Sequence, residues 1–497
     1  MPTKSSTIEI SSMNDGSVGF RLLRADTNWA GMLQYHALAL DPGSLPRLDN
    51  QQNVIAYGQK ITEALCQHKA VNPDLTQFFG LPAQSPAILK FLITTTEGER
   101  YSWETLCDER LIFLAVHHAC SVSRVTIGGR PEQDGDYASF EWPIRMLAFL
   151  SPSGVPSRAE MEAIVDTVAL ARQDGLDIRV GLYLGEQALL DDALACVNGG
   201  AWPGIEVFPM PSNAYGIEEA LKSAQPQIVH FFCHGAVKAG VNLLEFASVN
   251  DHDIEAASGS VALSIERLEL VMSTIGTVWT TMLNSCASAM SPAAERQAES
   301  AQVPKLFSMA CRLAQTASPL TVGMAEPVTD QDATLFTRVF YTIALRFIRE
   351  ATSKLTPGNF ATIDLGEAVF QARQKLHATA NSASATNGSG RWWLPVLYSR
   401  EHPLKVMLME KNRADEARGE PMQLQDDEAA EPPMAERVKT QIDDIMKTRI
   451  DAVAHALRSL PANSPLPLRQ DMLALLNNVP EHLRPDLFGN FNRAATH

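Results

Sequence analysis

The sequence predicts an α/β fold, a three-layer α/β/α sandwich whose central sheet is mostly parallel. From residue 144 onward, short apolar strands alternate with amphipathic helices, which is the pattern of repeated strand-helix-strand units. Because crossovers between parallel strands are right-handed, the helices should cover both faces of the sheet. The chain has 497 residues, 45% of them apolar, so it is long enough to bury more than one hydrophobic core.

Residues 1–142 are predicted to form a β-rich and helical N-terminal subdomain. Residues 6–40 have the pattern of an antiparallel ribbon, residues 53–80 that of helices, and residues 87–94 that of a strand. A strand-like pair follows near residues 111–115 and 122–127. Trp103 lies between these segments and is expected to pack in the core.

Residues 143–405 carry the alternating pattern and are predicted to be the core domain. A capping box of Ser157 and Glu160 should start a helix whose buried face includes Met161 and Ile164. Further helices are predicted at residues 186–197, 216–224, 264–274, 304–315, 330–350 and 365–378. Strands are predicted at residues 144–150, 178–184, 205–208, 227–232, 243–246, 277–283, 320–324 and 392–398.

The end of the chain is predicted to be a separate unit. Residues 406–436 are rich in charged residues, Ala, Gly and Pro and are interpreted as an acidic linker. Residues 437–497 carry amphipathic helical patterns and should form a small helical C-terminal module. Short helices bury little surface alone, so this module either docks on the core domain or binds a partner.

Composition excludes several classes of protein. A formal net charge of −16 argues against a nucleic-acid partner, because phosphate binding needs a basic surface. The N-terminus has no apolar signal region and no apolar run is long enough to span a bilayer, so we expect a cytoplasmic protein without a membrane partner. The seven cysteines lack the paired spacing of a disulfide framework or zinc site.

No metal or other cofactor is predicted. His117 and His118, and the polar group at residues 250–253, lack a third ligand at fixed spacing and are expected to be exposed polar residues. A glycine-rich phosphate loop is also missing after the first strand of the alternating region, which disfavours a nucleotide enzyme.

The candidate catalytic residues follow two apolar strands. Residues 228–232 lead into His234, and the strand at residues 277–283 is followed by Cys286. Active sites of open α/β sheets lie at the carboxyl ends of the strands, so both side chains should leave the same edge. A thiol is mostly protonated at neutral pH and needs a nearby base, which His234 can supply. The pattern therefore predicts a Cys-His peptidase.

Neighbouring residues complete the predicted site. The backbone N–H groups of Gly235 and Cys286 are candidates for stabilising the oxyanion of the tetrahedral intermediate. His230, which lies on the strand, is expected to be a hydrogen-bonded core histidine. Cys233 should point to the opposite face as a small hydrophobic residue.

Five segments, in this order, resemble the CHAT domain, a family of caspase-like cysteine peptidases. The similarity extends over about residues 7–399, and the segments are Trp103-Glu104-Thr105-Leu106, Phe231-Phe232-Cys233-His234-Gly235, Leu283-Asn284-Ser285-Cys286-Ala287-Ser288-Ala289, Leu320-Thr321-Val322-Gly323-Met324 with Pro327-Val328-Thr329-Asp330, and Trp393-Leu394-Pro395-Val396-Leu397-Tyr398. The Asn284-Ser285 pair departs from the small residues common at that point of the family.

The resemblance implies a regulated cysteine endopeptidase. Members of the family occur in bacterial immune operons and act on a dedicated protein, such as a gasdermin-like pore former. One alternative is a catalytically silent caspase-like scaffold that recruits partners through its helical tail. A small-molecule α/β enzyme using the same sheet edge is another. Intact His234 and Cys286 favour the peptidase.

Asn284 is the candidate for the specificity pocket. Relatives that cleave after Arg or Lys, such as metacaspases and clostripain, have Asp two positions before the nucleophile. An amide cannot neutralise a buried cation, so a neutral residue is expected on the amino side of the cleaved bond. A second possibility is that Glu295 or Glu299, in the loop after Cys286, supplies the missing carboxylate.

Overall fold

A computed structural model describes residues 3–128, 138–238, 241–254, 256, 258–285, 308–380 and 391–409. The chain divides into two compact units, Met1–Lys411 and Asn412–His497. The predicted linker, apart from its first residues, and the helical C-terminal module lie outside the described residues and stay predictions. No helix within the described ranges is both long and apolar enough to cross a membrane.

The described unit alternates strands and helices over most of its length. Its helices are α1 (Gln51–Cys66), α2 (Val71–Phe79), α3 (Leu114–His117), α4 (Arg158–Gln173), α5 (Gln187–Asn198), α6 (Ala214–Ala224), α7 (Val249–Asp253), α8 (Ile265–Ile275), α9 (Met309–Thr316), α10 (Asp330–Thr352) and α11 (Gly366–Ala380). Its strands are β1 (Lys4–Ser12), β2 (Val18–Ala25), β3 (His36–Ala37), β4 (Ala87–Ile93), β5 (Cys120–Thr126), β6 (Ala138–Phe140), β7 (Ile144–Leu150), β8 (Ile178–Leu184), β9 (Ile205–Pro209), β10 (Ile228–Lys238), β11 (Val241–Phe246), β12 (Val261–Ser264), β13 (Thr280–Ser285), β14 (Leu320–Met324), β15 (Phe360–Ile363), β16 (Pro395–Arg400) and β17 (Leu404–Leu408).

One large sheet runs through the whole unit. Its strands lie in the order β3-β2-β1-β4-β5-β16-β14-β13-β10-β7-β8-β9, and β11 and β12 extend from β10. The six strands from β14 to β9 are parallel to one another, as are β1, β4, β5 and β16. The two groups meet at an antiparallel pair, β14 with β16. The predicted mostly parallel sheet is confirmed, and the N-terminal strands belong to it.

The strand order reverses next to β7. The chain moves outward from β7 to β8 and β9, then returns to place β10 on the other side of β7, followed by β13 and β14. In open α/β sheets the crevice at such a reversal, outside the carboxyl ends of the strands, is where ligands bind. The topology therefore points to the carboxyl ends of β7 and β10.

Helices cover both faces of this part of the sheet, as predicted. α4, α10 and α11 pack on one face, and their apolar side chains share a core with Ile228 and Phe232 of β10. α6, α8 and α9 pack on the other face around Val229 and Phe231. Because successive side chains of a strand point to opposite faces, β10 contributes to both cores. Three further strands form a second, smaller sheet in the order β15-β17-β6.

The N-terminal predictions are confirmed in part. β1 and β2 form the expected antiparallel ribbon, and β4 and β5 occupy the predicted strand positions. The strand expected at residues 111–115 is wrong. Leu111 has a φ of 63°, a left-handed conformation that a strand does not use, and α3 begins at Leu114.

A buried ion pair fixes the segment around Trp103. The Arg124 side chain on β5 contacts both carboxylate oxygens of Glu104, with Nε at 3.0 Å from Oε1 and Nη2 at 2.9 Å from Oε2. Trp103 is fully buried, stacks on Phe91 and donates its indole N–H to the carbonyl oxygen of Gly98. The expected core role of Trp103 is confirmed.

The predicted capping box at the start of α4 is wrong. Ser157 is the residue before the helix, but its side chain makes no capping hydrogen bond. Its backbone N–H instead donates to Oε1 of Glu186 at 2.7 Å. Glu160 turns into the protein and is 1% exposed. The Glu160 carboxylate therefore contacts side chains in the interior instead of capping the start of α4.

Candidate active site

His234 lies where β10 changes its partners. Up to Phe232 the strand pairs with β7, and up to Cys233 it pairs with β13. From His234 onward β10 pairs with β11 in an antiparallel hairpin. The sequence predicted that the strand ends at residue 232, whereas the structure continues it to Lys238. His234 is thus the first residue beyond the parallel sheet, at the edge that the topology indicates.

A backbone carbonyl group orients the His234 ring. Nε2 of His234 lies 2.7 Å from the carbonyl oxygen of Ser153, in the loop that follows β7. A carbonyl oxygen can only accept a hydrogen bond, so Nε2 carries the hydrogen and donates it. In a neutral imidazole the second nitrogen, Nδ1, then has the lone pair that can take up a proton. The arrangement leaves His234 suited to act as a general base through Nδ1.

The loop that holds Ser153 is itself anchored. Oγ of Ser153 donates to the carbonyl oxygen of Ala256 at 2.5 Å, and Oγ of Ser151 donates to the carbonyl oxygen of Ala247. Both acceptors flank α7. These hydrogen bonds connect residues about 100 positions apart and hold the loop after β7 against the segment after β11. The Ser153 carbonyl group, which accepts the hydrogen bond from His234, therefore has a fixed position.

Asp251 organises the segment around α7. Ser248 and Ser260 each donate a backbone N–H and a hydroxyl group to its Oδ2, at 2.6 to 3.0 Å. Burial alone would raise the pKa of Asp251, but the hydrogen bonds from Ser260 and Ser248 lower it to about 2. The side chain is therefore an ionised structural acceptor, and the polar group at residues 250–253 lies in a short capped helix.

Cys286 lies outside the described residues, as do Glu295 and Glu299. The strand before Cys286 is described up to Ser285, which pairs in register with Cys233 of β10. Ser285, the residue before Cys286, is therefore a direct neighbour of Cys233, the residue before His234. Gly235, the other oxyanion candidate, is half-buried and lies opposite Leu244 in the β10–β11 hairpin. Its role stays a prediction.

Other cysteines are desolvated. Burial raises the pKa of Cys66 to about 11 and those of Cys107 and Cys120 to about 12, and it raises the pKa of Cys311 well above its ordinary value. Since the thiolate is the nucleophile, these thiols are poorly suited to attack a substrate at neutral pH. Cys233 is buried in the core beneath α6, α8 and α9, which confirms that it points away from the face of His230.

His230 and Asn284 lie in the interior below the candidate site. His230 is fully buried and its Nδ1 lies 3.1 Å from the hydroxyl oxygen of Tyr341, which confirms the predicted core histidine. Asn284 is 1% exposed, and its Nδ2 donates to Oε1 of Glu160 at 2.8 Å. The opposite end of that amide, Oδ1, has no hydrogen-bond partner among the described residues. A specificity role for Asn284 would use this oxygen.

The groups considered as metal ligands are either hydrogen-bonded within the fold or buried. Nδ1 of His117 accepts a hydrogen bond from the backbone N–H of Phe113, and His118 is 6% exposed. Asp251 is 7% exposed and saturated by its serine partners. The expectation that these residues are exposed is therefore wrong for His118 and Asp251. No group of three or more potential ligands that could hold a metal ion occurs within the described ranges.

Sequence reasoning missed two contributors to this region. Ser153 supplies a backbone oxygen, and no side-chain pattern marks such a role. Glu160 was interpreted as part of a cap, although it precedes Ile164 by four residues and so lies on the buried face of α4. A carboxylate on an apolar helix face was the available signal, because it requires a partner in the interior.

No protein-family model matches the sequence, and no curated protein matches it. Solved structures similar to this chain include two of the separase–securin complex from Saccharomyces cerevisiae. They have 14% and 12% sequence identity, TM-scores of 0.31 and 0.30, and cover 69% and 76% of this chain but only 17% and 21% of those chains. Another is the Arg-specific cysteine proteinase gingipain R, with 7% identity, a TM-score of 0.35, and coverage of 73% of this chain and 70% of that one.

Proposed function

We propose that the protein is a caspase-like cysteine endopeptidase in which Cys286 is the nucleophile and His234 is its general base. One observation carries the proposal. His234 stands at the carboxyl edge of the sheet, where the strand order reverses, with Nε2 held by the Ser153 carbonyl group. β13, which lies beside β10 in register, ends at Ser285, one residue before Cys286.

The chemistry follows from the tautomer of His234. Nδ1 would take the proton from the Cys286 thiol, and the thiolate would attack the carbonyl carbon of the substrate to form a tetrahedral oxyanion. The same proton then goes to the leaving amine as the carbon–nitrogen bond breaks, which leaves a thioester on Cys286. Water, deprotonated by His234, hydrolyses the thioester and regenerates the thiol. The backbone N–H groups of Gly235 and Cys286 are the proposed oxyanion donors.

The resemblance to the CHAT family supports a dedicated protein substrate. The proposed role is a regulated protease that activates an effector, such as a gasdermin-like protein, in bacterial defence. The acidic linker and amphipathic segments after residue 405 are proposed to bind a regulatory partner or to dock on the protease. Truncation after Met409 should then leave a folded protein with altered regulation, measured by circular dichroism and cleavage assay. An insoluble product would contradict a separate module.

The decisive experiment is cleavage of the proteins encoded beside this one, followed by gel electrophoresis and mass spectrometry. Cys286→Ala and His234→Ala should each abolish cleavage with an unchanged circular dichroism spectrum. Each single loss should cost nearly as much as the double loss, because the two groups act as a unit. Cys233→Ala, which removes a thiol from the other face, is the matched control and should cleave normally. Cleavage by Cys286→Ala would refute the assigned nucleophile.

A further inference from the structure

A buried polar cluster lies beneath the candidate active site on the face of the sheet that α4 and α10 cover. We define the Glu160 cluster as Glu160, His230, Asn284, Thr337 and Tyr341, each of them at most 1% exposed. Its members come from four elements, namely α4, β10, β13 and α10. A buried polar group is costly unless it is hydrogen-bonded, so such a cluster specifies how its elements are placed.

A single oxygen atom joins the two strands. Oε1 of Glu160 accepts a hydrogen bond from Nδ2 of Asn284 at 2.8 Å and lies 3.1 Å from Nε2 of His230. It also accepts a hydrogen bond from the Thr337 hydroxyl group. Asn284 is two residues before Cys286 in the sequence, and His230 is four residues before His234. The carboxylate of α4 therefore contacts both strands that lead to the candidate catalytic residues.

The environment keeps this carboxylate ionised. Burial alone would raise the pKa of Glu160, but its close contact with the His230 ring, together with hydrogen bonds from Thr337 and Asn284, lowers it below its ordinary value. On the far side of His230, the Tyr341 hydroxyl group lies 3.1 Å from Nδ1. His230 thus has a polar atom 3.1 Å from each of its ring nitrogens, and its ring cannot rotate without losing a contact.

The geometry of β10 and β13 links the Glu160 contacts to the carboxyl ends of the two strands. Side chains two or four positions apart in a strand point to the same face, so His230 and His234 share one face of β10. Phe232 and Asn284 are paired in the parallel ladder between β10 and β13. A shift of either strand relative to the other would have to break a contact with Glu160. The Glu160 cluster therefore fixes the position of the end of β10 relative to the end of β13 along the strand direction.

We propose that Glu160 is a positioning residue, which sets the distance between His234 and Cys286 by holding Asn284 and His230 on one carboxylate oxygen. The proposal rests on the proposed Cys-His chemistry. Apolar clusters of similar volume often stabilise a fold as well as buried ionic groups do, so stability alone is a weak reason for a buried carboxylate here. The need to place two reacting groups precisely does give a reason for the carboxylate, since a displacement of about 1 Å can cost on the order of 10²-fold in rate.

The test uses the full-length chain and needs no substrate. The rate at which iodoacetamide alkylates Cys286 is measured by peptide mass spectrometry between pH 5 and 10, for the unmodified protein and for Glu160→Gln. Gln keeps the shape of the side chain but removes its charge. Glu162→Gln, at an exposed position on the same helix, is the matched control. Thr337→Val keeps the volume and removes one hydrogen bond to Glu160.

Glu160→Gln should lower the alkylation rate at pH 7 by roughly tenfold and move its midpoint toward that of an ordinary thiol, about 8.5. Where a cleavable protein is known, kcat should fall by on the order of 10²-fold with KM nearly unchanged. Thr337→Val should change both in the same direction by a smaller factor, and Glu162→Gln should change neither.

The outcomes separate the two proposals. If Glu160→Gln lowers the melting temperature but leaves the alkylation profile and kcat unchanged, Glu160 is only structural and the positioning role is refuted. If Glu160→Gln does not fold, Thr337→Val decides, and an unchanged profile there refutes the role. Cleavage by Cys286→Ala would instead refute the proposed function, whatever Glu160→Gln does.

Discussion

The His234 ring and the Ser153 backbone are joined across two neighbouring strands, because the hydrogen bond of 2.7 Å between them links the loop after β7 to β10. The third member of the proposed catalytic group is therefore a peptide carbonyl. The position of this carbonyl group depends on how the loop after β7 is anchored, since the Ser153 side chain takes no part in the hydrogen bond to His234.

This arrangement predicts that Ser153→Ala keeps most of the activity. The variant retains the carbonyl group and loses only the bond from Oγ to Ala256, which is one of the two anchors of the loop. We expect kcat within about fivefold of the unmodified protein, since one neutral hydrogen bond contributes about 1 kcal/mol. The measurement is cleavage kinetics beside the inactive His234→Ala. A loss as large as that of His234→Ala would show that the Ser153 side chain acts directly.

The residue accepted on the amino side of the cleaved bond is predicted to be neutral. Asn284 offers only Oδ1, because its amide nitrogen donates to Glu160 and Thr337. An acceptor amide does not neutralise a buried guanidinium or ammonium group. A peptide library that varies this position, read by mass spectrometry, measures the preference. Strong preference for Arg or Lys that persists in Glu295→Gln with Glu299→Gln would contradict the prediction.

Glu104→Gln should be strongly destabilising. The substitution leaves the Arg124 guanidinium group, whose side chain is 3% exposed, without its carboxylate. Breaking a buried ion pair from one side costs about 3–5 kcal/mol of unfolding free energy, measured by urea denaturation. The control is Glu401→Gln, which removes the partner of the exposed Arg24 and should cost at most about 1 kcal/mol. Equal effects of the two substitutions would argue against an ion pair that fixes the Trp103 segment.

Acid should destabilise the protein through His377. Burial, reinforced by the neighbouring His117, lowers the pKa of His377 from 6.5 to about 4. Between these values the unfolded chain binds a proton that the folded protein does not, so the free energy of unfolding falls as the pH drops from about 6.5 to 4. Above pH 6.5 both states are neutral and the group contributes nothing to the pH dependence.

His377→Gln tests this dependence. Unfolding by urea at pH 7.5 and pH 4.5 gives the stability difference between the variant and the unmodified protein. That difference should shift in favour of the variant at pH 4.5, because Gln has no proton to bind. The comparison at two pH values cancels any packing change caused by Gln. A difference that is the same at both pH values would refute the role of His377.

The sequence was sufficient for elements whose signal is local. The strands at residues 144–150 and 178–184 are confirmed residue for residue, because continuous apolar runs bounded by polar turns identify buried parallel strands. The failures arise from partners that are distant in sequence. Glu160 leaves the expected cap because residues 230, 284 and 337 surround it, and β10 continues past residue 232 because β11 supplies a new partner.

The last strand of the large sheet is also its central one. β16, at Pro395–Arg400, lies between β5 and β14, so two parallel blocks of the sheet are joined by residues near the end of the described unit. During synthesis β5 and β14 emerge from the ribosome long before this strand. Until β16 is available, each has one edge whose backbone groups are unpaired. Open edges are templates for pairing with other chains. Ribosome stalling or proteolysis before residue 395 should therefore yield aggregates instead of a smaller folded protein.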